Sequence, residues 1–323
     1  MQTKGVSPGV ASTGKATVRE SQPTIAPFGY FGSKQRLAQR IAQMLPPHNA
    51  WVEAFCGSAA VTMAKKAAPI EVINDADLQI VNVFRQLREH STDLIKLVEL
   101  TPYAREEFEQ AYRRTAALNG LERARRFLVA CMMTVNGAMG SNGQGVRHSG
   151  FSYSQAYTRN GQEARVSRWN SLPERLSNVV ERLKHVRIEH KDARELLRMF
   201  INRPATLFYL DPPYLMDRDT KYKIDANDKA FHEELLELCC RARCMVLVSG
   251  YDNPLYNSFL TKREGWERIT IETHTRDTKG NDLARTEVLW KNQYFVKAAA
   301  SGRVPIRLSA KERKNHKVNP VRT

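Results

Sequence analysis

The residues with the most chemistry to offer lie in Leu207-Phe208-Tyr209-Leu210-Asp211-Pro212-Pro213-Tyr214. The first four form an apolar and aromatic run of the kind that makes a buried strand. Two prolines cannot donate to a sheet ladder, so the strand stops at Asp211 and the chain turns rigidly away. At the carboxyl edge of an α/β sheet, where ligands bind, such a stop presents a carboxylate, stiff carbonyls and an aromatic ring. This set suits methyl transfer to an amino group conjugated to an aromatic ring. The lone pair of such a nitrogen is delocalised. An Asp oxygen and an Asp-Pro carbonyl that accept its hydrogens favour a pyramidal nitrogen aimed at a methyl donor, and fixed dipoles facing a developing positive charge are the expected source of catalysis. Tyr214 can stack on an extruded base. Asp-Pro alone is better read as a capped turn; the whole tetrapeptide after an apolar strand favours chemistry.

Other stretches offer binding groups. Phe28-Gly29-Tyr30-Phe31-Gly32-Ser33-Lys34 sets glycines among aromatics, a close-approach loop. Ser33 is placed to cap the helix expected over 36–44. Lys34 reads equally as a contact to an anionic ligand group and as a solvated lysine at a helix start. Trp51-Val52-Glu53-Ala54-Phe55-Cys56-Gly57-Ser58 reads as a strand and a tight turn before a helix from about Val61, the first βα turn of a nucleotide-type fold. A single glycine there lacks the full G-x-G-x-x-G pyrophosphate fingerprint, which argues against NAD. Asp75 closes the strand 71–75, 18 residues after Gly57, near the ~20-residue offset at which an acid meets ribose hydroxyls. Asp77 is the better cap for the helix from Leu78, which leaves Asp75 for the ribose. Asp192 ends another strand, 186–192, and can hold a cofactor's adenine or cap the helix 193–200.

The elements that must position these groups alternate. Strands and helices succeed one another from Trp51 to Arg88 and again from Val186 to Trp290, the mark of an α/β sheet with helices on both faces. Between about Thr101 and Arg187 the alternation lapses. Helices are expected at 105–117, 121–133 and 172–184, around a glycine-rich, basic and aromatic stretch holding Asn136, Arg147, Arg159, Arg165 and Arg168. Such composition lines a DNA groove, cations on phosphates and polar tips on base edges, or else forms a surface insertion without a ligand. Residues 1–24, rich in Gly, Ser, Thr and Pro, are expected to be a disordered leader. Residues 298–323 read as a basic disordered tail, and 216–229 as a loop over the site.

The bulk numbers narrow the partner rather than the reaction. Among 323 residues, 50 Lys and Arg against 34 Asp and Glu leave a net charge of +16, which points to a polyanion. No apolar run approaches the ~20 residues of a membrane span, and no signal-peptide pattern opens the chain, so a cytoplasmic protein is expected. The five cysteines are not spaced for disulfide pairing; Cys239, Cys240 and Cys244 lack Cys-x-x-Cys spacing and read as core packing, so no metal is expected.

Taken in order, Gly-Tyr-Phe-Gly-Ser-Lys, Phe-Cys-Gly-Ser, Asn-Asp, a basic insertion and Asp-Pro-Pro-Tyr resemble the Dam-type (D12 class, α-group) DNA adenine-N6 methyltransferases, from about Pro27 to Phe295. The resemblance implies a Rossmann-like S-adenosyl-L-methionine-dependent methyltransferase domain over 25–100 and 186–297, and an inserted target-recognition region over 101–185. It implies that Tyr30, Lys34, Phe55, Gly57, Asp75, Asp192 and Asp211 hold the cofactor. It makes Asp211, Pro212, Pro213 and Tyr214 the catalytic set, with double-stranded DNA the substrate and a monomer, or a weak dimer on DNA, the working form. Tyr30 stands where relatives often have tryptophan, and Ser58-Ala59 where they often carry a second glycine. Rival readings are a cytosine-N4 or RNA amino-methyltransferase and a catalytically silent DNA-binding module. Methylation at cytosine C5 needs a nucleophilic cysteine, and the chain has no Pro-Cys dipeptide.

Overall fold

The computed structural model describes residues 22–29, 32–113, 118–135, 150–213, 229–276 and 282–305. Its strands are β1 Ala50–Glu53, β2 Ile70–Asn74, β3 Thr158–Arg159, β4 Gln162–Glu163, β5 Val186–Glu189, β6 Thr206–Leu210, β7 Met245–Tyr251, β8 Glu267–Arg276 and β9 Asp282–Lys291. Seven of them make one sheet in the order β5-β2-β1-β6-β7-β9-β8. The first five run parallel, while β9 is antiparallel to both β7 and β8. The chain builds outward from β1 to β2 and β5, then crosses back to β6. The order therefore reverses between β1 and β6, and a crevice at the carboxyl ends of those two strands is where such sheets bind ligands.

Successive side chains of a strand point to opposite faces, so these unbroken apolar runs bury both faces of the sheet. Trp51, Leu207, Tyr209, Met245 and Leu247 line one face, and Val52, Phe208, Leu210, Val246 and Val248 the other. Trp51 stacks on Tyr209 across β1 and β6, 5.8 Å between centroids. Helices α1 Ala38–Met44, α2 Ala60–Ala64, α3 Leu78–Glu89, α4 Ser91–Leu100, α5 Arg105–Tyr112, α6 Gly120–Met133, α7 Ala164–Asn170 and α8 Leu172–Leu183 cover the Trp51 face. The opposite face carries α9 Ala193–Phe200, α10 Lys229–Arg241 and α11 Pro254–Phe259, and α12 Gln293–Ser301 returns to the first. Asp77, Asn119, Glu163, Asp192, Asn253 and Asn292 each accept a backbone N–H as the N-cap of the next helix.

Two expectations change here. Ser33 makes no capping bond to the turn that follows; its hydroxyl pairs with that of Ser58 at 2.8 Å instead. Regular structure also continues past Lys297, because Ala298, Ala299 and Ala300 extend α12 to Ser301. The helices α6 and α8 share one apolar core with α3, α4 and Ile73 of β2. Beneath it lies a buried ion network: Glu71 of β2 accepts from Lys65 (2.6 Å) and from Arg182 of α8. Arg182 also donates to the Thr62 carbonyl (2.9 Å), tying α8 to both β2 and α2.

Candidate active site

The parallel strands end at one edge of the sheet, and their last residues carry most of the polar groups singled out in the sequence. Asp211 follows Leu210 of β6, and the Ala54 N–H donates to the Tyr209 carbonyl (3.1 Å), holding the tips of β1 and β6 together. Lys34 arrives from the loop ahead of α1. Its ammonium lies 2.7 Å from Asp211 Oδ1 and 3.5 Å from Glu287 Oε1. It is buried, so of its two sequence readings the solvated lysine is the one the structure removes. Glu287 reaches this edge because β9 runs against β7, which sets it beside Tyr251. Its Oε1 also accepts from Ser249 Oγ at 2.6 Å. A cation is thus held between two carboxylates, with a carboxylate oxygen of Asp211 fixed at the tip of β6.

The β1 turn is built by hydrogen bonds to its neighbours. Gly57 has a φ of 49° and Ala59 one of 54°, so two residues of the turn are left-handed. Gly57 pays no steric penalty for this, whereas Ala59 does. The Gly57 N–H donates to Asp75 Oδ2 (2.8 Å), and the Asp77 N–H to Asp75 Oδ1 (2.9 Å). Burial pushes the Asp75 carboxyl up to about 6, against the pull of the Asp77 and Gly57 amides. Asn74 ties three strand tips together: its side chain donates to the carbonyls of Ala54 (2.9 Å) and Lys191 (3.0 Å) and accepts from the Lys191 N–H (2.8 Å). Glu53 lies under the turn and accepts the Thr62 N–H at 2.9 Å and the Thr62 hydroxyl. Burial raises it to about 7, the Thr62 bonds oppose that, and the charge of Asp211 adds to it.

Lys34 therefore meets Asp211 directly, Gly57 meets Asp75 directly, and the Ser33–Ser58 pair joins the two groups. Phe55 is half-buried and sits edge-on to Phe231, over which the Arg194 guanidinium lies at 4.7 Å. Asp192 is the N-cap of α9 and pairs with that same Arg194 at 2.6 Å. Side-chain hydrogen bonds from Arg194 hold its carboxyl below the usual range. Pro212 is buried and Pro213 half-buried beside Asp211, whereas Tyr30, Tyr214, Asn136 and Arg147 lie outside the described residues. Arg159 is exposed on the β3–β4 hairpin, and Arg165 and Arg168 are half-buried on α7.

Sequence reasoning passed over Glu53, Asn74, Ser249 and Glu287. Glu53 had a signal, an acid inside the apolar run Trp51-Val52-Glu53-Ala54, since a carboxylate is rarely buried without partners. Glu287 had none, because only the antiparallel return of β9 brings it to this edge. Among the described residues no cluster of three or more His, Cys, Asp or Glu is arranged to hold a metal ion. Cys239 and Cys244 are buried in the core, and all five cysteines are free thiols.

The model of the D12 class N6 adenine-specific DNA methyltransferases matches residues 30–274, well over half of the chain. The chain belongs to this family. The methyltransferase acts on DNA adenine at N6, and the matched span holds Lys34, Gly57, Asp75, Asp192 and Asp211 but stops short of Glu287. A comparison with curated proteins finds no match. Among solved structures the methyltransferase is similar to the precorrin-6y C5,15-methyltransferase of Geobacter metallireducens, at 8% identity and TM-score 0.34, over 80% of this chain and 85% of that one. It is also similar to the precorrin 8w decarboxylase of Methanobacterium thermoautotrophicum, at 9% identity and TM-score 0.35, over 84% of this chain and 99% of that one. These likenesses are weak, and the fold is read from the strand order itself.

Proposed function

We propose that the enzyme methylates the N6 amine of an adenine flipped out of duplex DNA, with S-adenosyl-L-methionine as donor, and that Asp211 orients the amine. The single observation that carries this is Asp211, held by Lys34 at the tip of β6, beside the strand-order reversal. The residues present fit the donor. Asp75, half-buried at the tip of β2, is a carboxyl suited to accept ribose hydroxyls, and the left-handed Gly57 has no side chain to obstruct a ligand's approach. Phe55 supplies an aromatic surface, Tyr30 a second one, and Asp192 at the tip of β5 an acid near the purine end. When bound, the donor supplies an electrophilic methyl group.

The protein's own part is orientation and charge. The carboxylate of Asp211 and the backbone carbonyl of the Asp-Pro unit accept the two N–H hydrogens of the amine, and the carboxylate faces the positive charge that develops on nitrogen. Lys34 fixes the carboxylate from its far side and is itself fixed by Glu287. Tyr214 stacks on the flipped base, offsetting part of the few kcal/mol that flipping costs. Residues 101–185 form the region that contacts DNA, with Asn136, Arg147, Arg159, Arg165 and Arg168 among its contacts, around the catalytic part 25–100 and 186–297. The enzyme works in the cytoplasm as a monomer, with no metal. The test is single-molecule sequencing of DNA from cells expressing the protein. N6-methyladenine at one recurrent sequence is expected; methylation confined to cytosine or to RNA would overturn the proposal.

A further inference from the structure

Eight arginines of the described structure (125, 126, 182, 187, 194, 198, 241 and 268) pair with a carboxylate. Arg165, Arg168 and Arg175 differ: all three are half-buried, and none has a carboxylate within ion-pair distance among the described residues. They lie together where α7 meets α8. Arg165 and Arg168 are three apart on α7, hence on one helical face, and Arg175 stands in the opening turns of α8. Among the described residues the Arg175 guanidinium gives one hydrogen bond, a weak one from Nη2 to Met132 Sδ at 3.8 Å, and its Nε is buried with no partner there. Arg168 lies against the N-terminal loop that leads to Lys34. A methyl group added at Gly29 would sit 3.0 Å from its Nη2, so the missing side chain at Gly29 makes room for the guanidinium.

Collecting guanidinium donors in a half-buried place without acceptors is costly, and the cost is recovered only when an anion is supplied from outside. Burial first, and then a neighbouring guanidinium, lowers the basicity of two of them: Arg168, beside Arg165, and Arg175, beside Arg168, the latter to about 10. We infer that Arg165, Arg168 and Arg175 seat one backbone phosphate of the bound DNA, held against the Gly29 turn beside the active site. The inference rests on the reading that the enzyme acts on DNA and adds where one phosphate is held. Phosphate suits the site because planar guanidiniums engage it bidentately. DNA is favoured over the carboxylate of the methyl donor because all three arginines come from the basic 101–185 stretch. That stretch also exposes Tyr153, Tyr157 and Arg159.

The test uses full-length Arg168→Gln, Arg175→Gln and the double variant. It measures duplex-DNA affinity across a salt series, S-adenosylmethionine affinity by calorimetry, and melting temperature. The expected result is DNA binding weakened about tenfold with the slope of log K against log[salt] shallower by about 1 in the double variant. Cofactor affinity should stay unchanged, and melting should be unchanged or higher because an unpaired half-buried charge is gone. Weakened cofactor binding with unchanged DNA affinity would assign the arginines to the cofactor's carboxylate. Lowered melting with unchanged DNA affinity and slope would make them structural. Either result overturns the inference alone, whereas wild-type protein that fails to bind duplex DNA would overturn the DNA reading with it.

Discussion

At the scale of single residues, Asp211 and Lys34 are one unit with Glu287. Replacing Lys34 with methionine leaves two carboxylates near one another with their cation gone. Breaking a buried pair in this way costs about 3–5 kcal/mol. Because Asp211 is 14% exposed, the loss in urea denaturation should fall at the lower end, accompanied by a drop in turnover. Glu53 gives a pH signature. Its folded-state value of about 7 lies above the ordinary 4.5, so between those values the native state holds a proton that the unfolded chain has released. Stability from this group is therefore complete below about pH 4.5, falls as pH rises toward 7, and is constant above. Glu53→Gln should remove that part of the slope, on the order of 3 kcal/mol between pH 4.5 and 7.5, read as the change in urea midpoint. A variant with the wild-type slope would show that Glu53 does not titrate there.

At the scale of elements, the active edge depends on cross-ties between strand tips. Asn74→Ala deprives the buried Ala54 carbonyl and the half-buried Lys191 amide and carbonyl of their partners, which costs about 1–3 kcal/mol. It should also weaken cofactor binding, measured by calorimetry, because the β1 turn and β5 tip lose their common anchor. Much of this level was legible in the sequence. The parallel strands announced themselves as short apolar runs, and Asp77 proved the cap of α3 while Asp75 turned to the glycine loop. The Asp-Pro-Pro break stopped β6 after Leu210, as two prolines require. Part of what stayed hidden depends on contacts distant in sequence, and part on local punctuation. Ser33 has the right spacing for a cap, but Ser58 competes for its hydroxyl and wins. The helices α4 and α7 were missed because Ser91 follows α3 almost without a break and Gly161 punctuates the chain just before α7. Glu287 gained its place only through the reversed direction of β9.

At the scale of the whole molecule, the proposed function gives the excess of basic residues and the layered sheet one purpose, to bring a polyanion to the sheet's carboxyl edge. With a net charge of +16, DNA affinity should be steeply salt-dependent. For six or more phosphate contacts, binding should fall about 10³-fold or more between 50 and 200 mM salt, followed by fluorescence anisotropy; a flat response would show that charge does not drive docking. The layers are joined through Arg182, which links α8 to Glu71 of β2 and Thr62 of α2. Arg182→Met should destabilise by about 3 kcal/mol, because Lys65 still pairs with Glu71. A change near zero in denaturant unfolding would place that link outside the fold's essential contacts.

The most direct measurement is nucleoside mass spectrometry of duplex DNA incubated with isotope-labelled S-adenosylmethionine and either wild-type protein or Asp211→Ala. The wild type should yield labelled N6-methyladenine. The variant should bind the duplex normally yet transfer at least about 10²-fold more slowly, the usual loss when one preorganised hydrogen-bonding group is removed. Label on cytosine, or undiminished transfer by Asp211→Ala, would contradict the role given to that carboxylate.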